Sequence, residues 1–455
     1  MTTRSERNAL PLIDQWLRFA CWYREIPSLA VGIRIGDHTF TRGYGLKDLK
    51  TRDPVTAQTL YRIASHSKLF TACAVMRLFE QERLRLDDPV STHLDWFNSA
   101  SDANMRSLTL RELLSHASGL TRDGTTGHWL NDTFPDVDSI RSQAANGLSV
   151  FGAAEHWKYS NMGFALLGCV VEAVAGQPFE AAVSELVLKP IGLRNTTPDF
   201  DDASGPLHAT GYGIRYPGQP REVFRHVHAR AMNAATGFSS NIDDLLRFYE
   251  HHKFGNTTLL TDRSKREMQR LQFEDGAIAW GLGFRIDKSL TGQTVGHDGA
   301  YPGFMTSSML DQGNDITVVV LTSAMDGQPQ YFLQGIRNLL AYAASPVTSE
   351  AGGPTETSSD DARFIDSIAG YFGSRWGISI VNQLDGKLVM FPTNAPLPGD
   401  AIMRWDHLGD HHFKAVDGPK NGEFGETSEI VRVGDEWRIR SGIGEQRPFH
   451  IPVGP

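Results

Sequence analysis

The sequence predicts an α+β fold: one antiparallel sheet flanked by terminal helices, a helical lobe beside it, and a small all-β sandwich or barrel at the C-terminal end. Three observations carry this expectation. Strand-like alternation occurs near both ends of the first 345 residues, with helical periodicity between them. Residues 346–361 (PVTSEAGGPTETSSDD) are poor in apolar side chains and read as a linker. Beyond them come short β runs separated by Gly and Asp turns. The expected organisation is a first domain over residues 1–345, a linker over 346–361 and a second domain over 362–455.

Taken in order, residues 9–24 are amphipathic, with Leu10, Leu12, Ile13, Trp16, Leu17 and Phe19 on one helical face. Residues 28–35 alternate, Gly36-Asp37 turns the chain, and 39–44 run back, the pattern of a hairpin. Leu69, Ala72, Val75, Met76 and Phe79 then recur at helical spacing, and Pro89 blocks any continuation. Thr109 and Glu112 have capping-box spacing, and Gly119 reads as a stop. His116, within that stretch, reads as a buried or capping histidine. Residues 121–155, rich in Gly, Asp, Asn and Thr, read as surface loops at the rim of a pocket. Residues 161–175 form an apolar helix closed by Gly176, and 178–188 and 241–251 form two more. Residues 197–230 read as irregular. Strands are expected at 281–286, 294–297, 304–310 and 316–322, then a helix at 328–344. In the C-terminal region they are expected at 378–381, 387–391, 430–433 and 436–440.

Composition narrows the function. The net charge of −9, with no basic stripe, argues against a nucleic-acid partner. Cys21, Cys73 and Cys169 are odd in number and far apart, so no disulfide framework is expected and a reducing compartment fits. No apolar run reaches about 18 residues, so no membrane span is expected, and the first residues lack the apolar core of a secretory signal. The chain therefore reads as cytoplasmic. His226-Val-His228 and the group His407, His411 and His412 lack a cysteine or carboxylate frame, so no metal or cofactor is assigned to them.

Three stretches carry chemistry. The first is Ser65-His-Ser-Lys68 at the head of an apolar helix. Residues i and i+3 share a helix face, so Ser65 meets the Lys68 amine while Ser67 does not; Ser-x-x-Lys is a nucleophile signature. The second is Lys158-Tyr159-Ser160-Asn161 at a helix entrance. A phenol beside a lysine loses its proton more readily there, and the Asn161 amide suits a substrate carbonyl and the Lys68 amine. The third is Val295-Gly-His297-Asp298-Gly299-Ala300, a strand whose glycines permit close backbone approach. G-x-S-x-G and H-E-x-x-H are absent from the sequence.

In this order and spacing, the three stretches resemble the serine β-lactamase and penicillin-binding-protein family. They look most like its branch of class C β-lactamases, D-aminopeptidases and esterases, the CubicO-like serine hydrolases. The resemblance spans residues 10–344 and extends to framework stretches at 109–120, 165–172, 190–193 and 237–245. It implies a β-lactamase/transpeptidase-like fold, with a C-terminal domain similar to the lipocalin-like barrels appended to some relatives. It also implies Ser65 as the acyl-accepting nucleophile, with Lys68 and Tyr159 sharing the proton work and the choice of base left open. Asn161 orients substrate, and His297 takes the place of the lysine in Lys-Thr-Gly. The backbone N–H groups of Ser65 and Ala300 form the oxyanion hole, with Gly299 beside them at the substrate.

The chain departs from that pattern at two positions. His297 is a weaker cation than lysine, and Asp298 replaces a hydroxyl residue. Asp298 would repel a substrate carboxylate if it faced the site, whereas strand alternation would turn it away. The expected activity is hydrolysis of an ester or amide through an acyl-enzyme, carboxylesterase-like first. The alternatives are a D-amino-acid-specific peptidase or amidase, a β-lactamase, a transacylase and, in another class, a non-catalytic ligand sensor. The expected partners are a small ester, amide or short peptide, with no membrane or nucleic acid, and a second copy of the chain in a homo-oligomer.

Overall fold

The computed structural model describes residues 4–289, 292–345, 359–419, 424–442 and 444–451. The chain divides into two compact units: Met1–Ile26, Ile35–Phe40 and Gln330–Pro455 form one, and Pro27–Arg34 and Thr41–Pro329 form the other. These units interleave along the chain, whereas the expected division at 346–361 is linear. Residues 346–358 of the expected linker lie outside the described residues, and the helix Ser359–Ile368 begins inside its last positions.

The fold is α+β, with an eight-stranded sheet. Its strands run in the order His38–Gly45, Ser28–Ile35, Ile316–Thr322, Phe304–Asp311, Gly292–Tyr301, Arg285–Ser289, Ile278–Trp280, Phe273–Asp275. The hairpins are antiparallel, and His297 pairs with Ser308 and Gly299 with Thr306. The strand Ile316–Thr322 is buried on both faces, which is why its centre, Val318 to Leu321, is apolar without alternation.

In the larger unit the helix Ser67–Glu80 buries nearly every residue from Ser67 to Leu78, so its apolar pattern extends beyond one face. The helix Asn161–Ala175 is equally apolar. Its first turn is capped by the Ser160 hydroxyl, which accepts from the Gly163 N–H, and Gly176 closes it at a positive φ. The Thr109–Glu112 capping box is formed in full. The expectation of loops over 121–155 is corrected by two helices, His128–Asn131 and Val137–Asn146. The second carries its own start signal, since the Asp136 side chain accepts from the Ser139 N–H. Its exposed polar face hid the periodicity. The charged helix Asp262–Gln269 and the three-residue strands Phe273–Asp275 and Ile278–Trp280 gave too little periodicity to be read.

In the smaller unit, eight strands from Gly370–Ser374 to Gly444–Phe449 close into a barrel, the last pairing with the first through Tyr371 and Phe449. Ile365 and Ile368 of the preceding helix join its core with Phe372, Trp405, Phe413 and Ile439. The N-terminal helix Leu10–Tyr23 is tied to the same barrel. Gln15 donates to the Gly370 carbonyl at 2.6 Å, and the Tyr371 hydroxyl donates to the Gln15 carbonyl at 2.8 Å. Among the described residues no single helix is long and apolar enough to cross a membrane.

Candidate active site

The site is built around one backbone turn. Ser65 lies in a single 3₁₀ turn, Ala64–His66, and the α-helix starts only at Ser67. Ala64 holds a positive φ of 52°, a conformation an L-residue adopts only when its surroundings impose it. The Ser67 hydroxyl accepts from the Phe238 N–H at 3.0 Å and donates to the Ala64 carbonyl at 2.5 Å, so Ser67 staples the turn. His66 turns to the sheet, where its ring nitrogens meet the hydroxyls of Ser308 at 2.6 Å and Thr306 at 3.0 Å.

Lys68 is fully buried. Its Nζ lies 2.7 Å from Asn161 Oδ1, 2.7 Å from the Ala235 carbonyl and 3.2 Å from Ser65 Oγ. Burial drives its pKa well below the usual lysine value; the negative charge of Asp123 opposes this and Arg122 adds to it. The amine donates to the two carbonyl-type acceptors and to the Ser65 hydroxyl; deprotonated, it would keep its two N–H bonds for the carbonyl-type acceptors and turn a lone pair to Ser65.

Tyr159 is hydrogen-bonded to Ser65, but burial raises its pKa above the ordinary phenol value. The expectation that it loses its proton readily is therefore reversed, because rings surround it. His116 lies 4.3 Å away, Trp157 6.0 Å, Trp280 6.2 Å and His297 6.4 Å, between ring centroids. Asn161 serves both neighbours: its Oδ1 accepts from Lys68 and its Nδ2 donates to Asp123 at 2.6 Å. Burial alone would raise the Asp123 pKa. Hydrogen bonds and the nearby Arg122 guanidinium outweigh it, holding that carboxyl down at about 2.

The strand Gly292–Tyr301 supplies the opposite wall. His297 is buried, its Nδ1 is 2.6 Å from the Asp298 carbonyl oxygen, and its Nε2 has no hydrogen-bond partner. Burial lowers its pKa well below the usual histidine value, so the imidazole is neutral at neutral pH. Asp298 lies on the other strand face, where it is ion-paired with Arg285 and accepts from the Ser307 hydroxyl at 2.6 Å. Of the two orientations considered for Asp298, the structure has the one turned away. Gly299 is pressed against the turn that carries Ser65: a Cβ there would sit 2.7 Å from the Ile63 carbonyl oxygen. Ala300 is exposed next to it.

The fold thus brings Ser65, Lys68, Tyr159 and Asn161 into one hydrogen-bonded group, with the His297–Ala300 strand alongside. It adds residues outside the expected set. Asp123 sits in a short loop with no motif around it, and only its tertiary contact with Asn161 reveals it. His116, buried as expected, also clamps Tyr159. Its carbonyl accepts the Lys158 N–H at 2.9 Å and its Nδ1 accepts the Ser160 N–H at 3.2 Å. It does so from a left-handed φ of 59°. Asparagine tolerates that conformation and can offer a side-chain acceptor. His116→Asn is expected to retain most of the activity, whereas His116→Phe lowers kcat by about 10–100-fold with KM little changed. Steady-state kinetics on a p-nitrophenyl ester decides this, and equal losses in the two variants would refute the clamp.

Trp157 and Trp280 contact each other at 5.2 Å beside Tyr159, while Trp129 sits with Phe134 and Tyr301. His226 stacks on Phe200 at 4.5 Å. Among the described residues no group of three or more His, Cys, Asp or Glu side chains is arranged to hold a metal ion.

Residues 18–343 match the family model described as Beta-lactamase. Esterase EstB of Burkholderia gladioli is 27% identical over 360 residues, covering 69% of this chain and 88% of the esterase. The octameric penicillin-binding protein homologue from Pyrococcus abyssi shares the fold over 96% of this chain and 99% of its own, with a TM-score of 0.65 and 18% identity. A D-stereospecific amidohydrolase from Streptomyces sp. shares it over 71% of this chain and 97% of its own, with a TM-score of 0.62 and 23% identity.

Proposed function

Since the chain belongs to the beta-lactamase family and its relatives include an esterase and an amidohydrolase, we propose that it is a carboxylesterase-like enzyme cleaving a small neutral ester through an acyl-enzyme on Ser65. One observation carries the reading: the buried Lys68 amine, its pKa lowered by burial, lies 3.2 Å from Ser65 Oγ and is held there by the Asn161 Oδ1 and Ala235 carbonyl acceptors.

Ser65 Oγ attacks the ester carbonyl carbon as Lys68 takes its proton. The developing oxyanion accepts from the Ser65 and Ala300 N–H groups. Tyr159, kept protonated by burial, donates to the leaving alkoxide, and the proton on Lys68 then restores the phenol. Water attacks the acyl-enzyme next. Its proton passes to Lys68 and back to Ser65 Oγ as the acid leaves. Asn161, held by Asp123, positions Lys68 and keeps one N–H for the substrate carbonyl.

Neutral substrates fit because His297 is uncharged and Asp298 is ion-paired on the other face, so the strand offers no cation to a carboxylate. Ser65→Ala is expected to abolish turnover of p-nitrophenyl esters and to remove the covalent fluorophosphonate adduct detected by mass spectrometry. Undiminished turnover in that variant would refute the proposal. Tight ligand binding with no adduct on the parent protein would instead favour the sensor.

A further inference from the structure

The residue after Ser65 is an imidazole where an apolar side chain would be easier to bury. His66 is fully buried, and a buried polar group needs partners. Its ring nitrogens find both on one strand, Phe304–Asp311: Nε2 lies 2.6 Å from Ser308 Oγ and Nδ1 lies 3.0 Å from Thr306 Oγ1. Thr306 and Ser308 are two residues apart and so share a strand face; both are fully buried. Burial lowers the His66 pKa to about 4, so the ring is neutral and carries one N–H at neutral pH. A hydroxyl can donate or accept, so the two hydroxyls suit either tautomer.

The same two hydroxyls reach further. Ser308 donates to the His297 carbonyl at 3.2 Å and bonds the Tyr249 hydroxyl at 2.5 Å, and Thr306 donates to the Ile63 carbonyl at 3.4 Å. Ile63 precedes the 3₁₀ turn that presents Ser65, and His66 ends it. The strand is also in register with the one that carries Ala300: Ser308 faces His297, Thr306 faces Gly299 and Met305 faces Ala300. His66 therefore joins the backbone bearing the Ser65 N–H to the strand pair bearing the Ala300 N–H.

We propose that His66 is a positioning residue: through Ser308 and Thr306 it fixes the Ser65 turn against the sheet, and so sets the separation of the two N–H groups that receive the oxyanion. The inference rests on the acyl-enzyme reading above, in which His66 itself transfers no proton.

His66→Leu removes both bonds. Ser308 and Thr306 keep their other partners, so neither hydroxyl is stranded in the core. An oxyanion arises in acylation and again in deacylation, so kcat for a p-nitrophenyl ester should fall about 10–100-fold with KM within about twofold. Phenylboronic acid, whose tetrahedral adduct on Ser65 places an oxygen in the same hole, should bind the variant about tenfold more weakly or worse. His66→Gln keeps a polar atom within reach of Ser308 and should restore kcat to within about fivefold of the parent. Fluorophosphonate labelling counts the active sites, and thermal melts establish folding. A purely structural histidine would lower the melting temperature and leave kcat per labelled site and boronate affinity at parental values. That result would overturn the proposal. Ser308→Ala removes the Nε2 partner but leaves the imidazole; it should lower kcat and boronate affinity together, and it carries the test if His66→Leu does not fold. No adduct on the parent protein would refute the acyl-enzyme reading and this inference with it. A labelled, active parent matched by His66→Leu would refute the inference alone.

Discussion

Replacing Lys68 by methionine is expected to lower kcat for ester hydrolysis by roughly 10²- to 10⁴-fold, the usual contribution of a positioned base. The replacement preserves an unbranched chain in a fully buried slot but removes the amine that lies 3.2 Å from Ser65 Oγ. Lys68→Arg should be as inactive, because a guanidinium stays protonated and has no basic site to offer. The methionine variant leaves Asn161 Oδ1 and the Ala235 carbonyl without their donor, at a cost of about 1–3 kcal/mol. A melting curve must therefore accompany the kinetics.

The pH profile of the parent protein gives an independent check. The base works only when deprotonated, so kcat/KM rises as pH passes upward through the Lys68 pKa. Burial lowers that pKa, which places the rise below the ordinary lysine value of about 10.4. The acid works only when protonated, and burial raises the Tyr159 pKa, so the plateau should not fall at the ordinary phenol value of about 10. An active Lys68→Arg variant, or an ascending limb that vanishes in Tyr159→Phe, would point to tyrosinate as the base instead.

The second large effect is expected at Gly299. In Gly299→Val the new Cβ meets the Ile63 carbonyl oxygen at 2.7 Å, the Ala64 Cβ at 3.0 Å and the Thr306 hydroxyl. The Ile63–Ala64 backbone has little room to yield. The Ile63 N–H donates to the Phe238 carbonyl at 2.9 Å, and Ser67 holds the Ala64 carbonyl. Either the strand or the Ser65 turn must shift. Overpacking of this kind costs roughly 1–3 kcal/mol, and a displacement of about 1 Å at reacting atoms costs on the order of 10²-fold in rate. The expected result is a lowered melting temperature with kcat reduced about 10²-fold or more, while Ala300→Gly, at an exposed position, melts close to the parent. Parental kcat and melting temperature in Gly299→Val would show that the strand does not bear on the turn.

Local signals carried much of the architecture. The capping box at Thr109 and Glu112, the apolar helix from Asn161 to Gly176 and the unbroken β run Ile316–Thr322 are each decided by contacts within a few residues or by burial on every face. The barrel announced itself through short β runs and Gly turns, although its closure did not. The first-to-last pairing of Tyr371 with Phe449 joins positions far apart in the chain. Polar helices with little apolar pattern, such as Val137–Asn146 and Asp262–Gln269, were the elements that sequence periodicity missed.

At the site the same division holds. The sequence by itself pointed to Ser65, Lys68, Tyr159 and Asn161 as one group, because Ser65 and Lys68 are one helical turn apart and Tyr159 and Asn161 flank a helix cap. Only the tertiary structure decided their electrostatic states. Desolvation is set by what surrounds a group in space, and the rings around Tyr159 and the enclosure of Lys68 come from distant segments. That is why the amine, rather than the phenol, is the group shifted toward its neutral, proton-accepting form. It is also why His297 is uncharged, Asp298 is turned to Arg285, and Asp123 and His116 matter although no motif marks them.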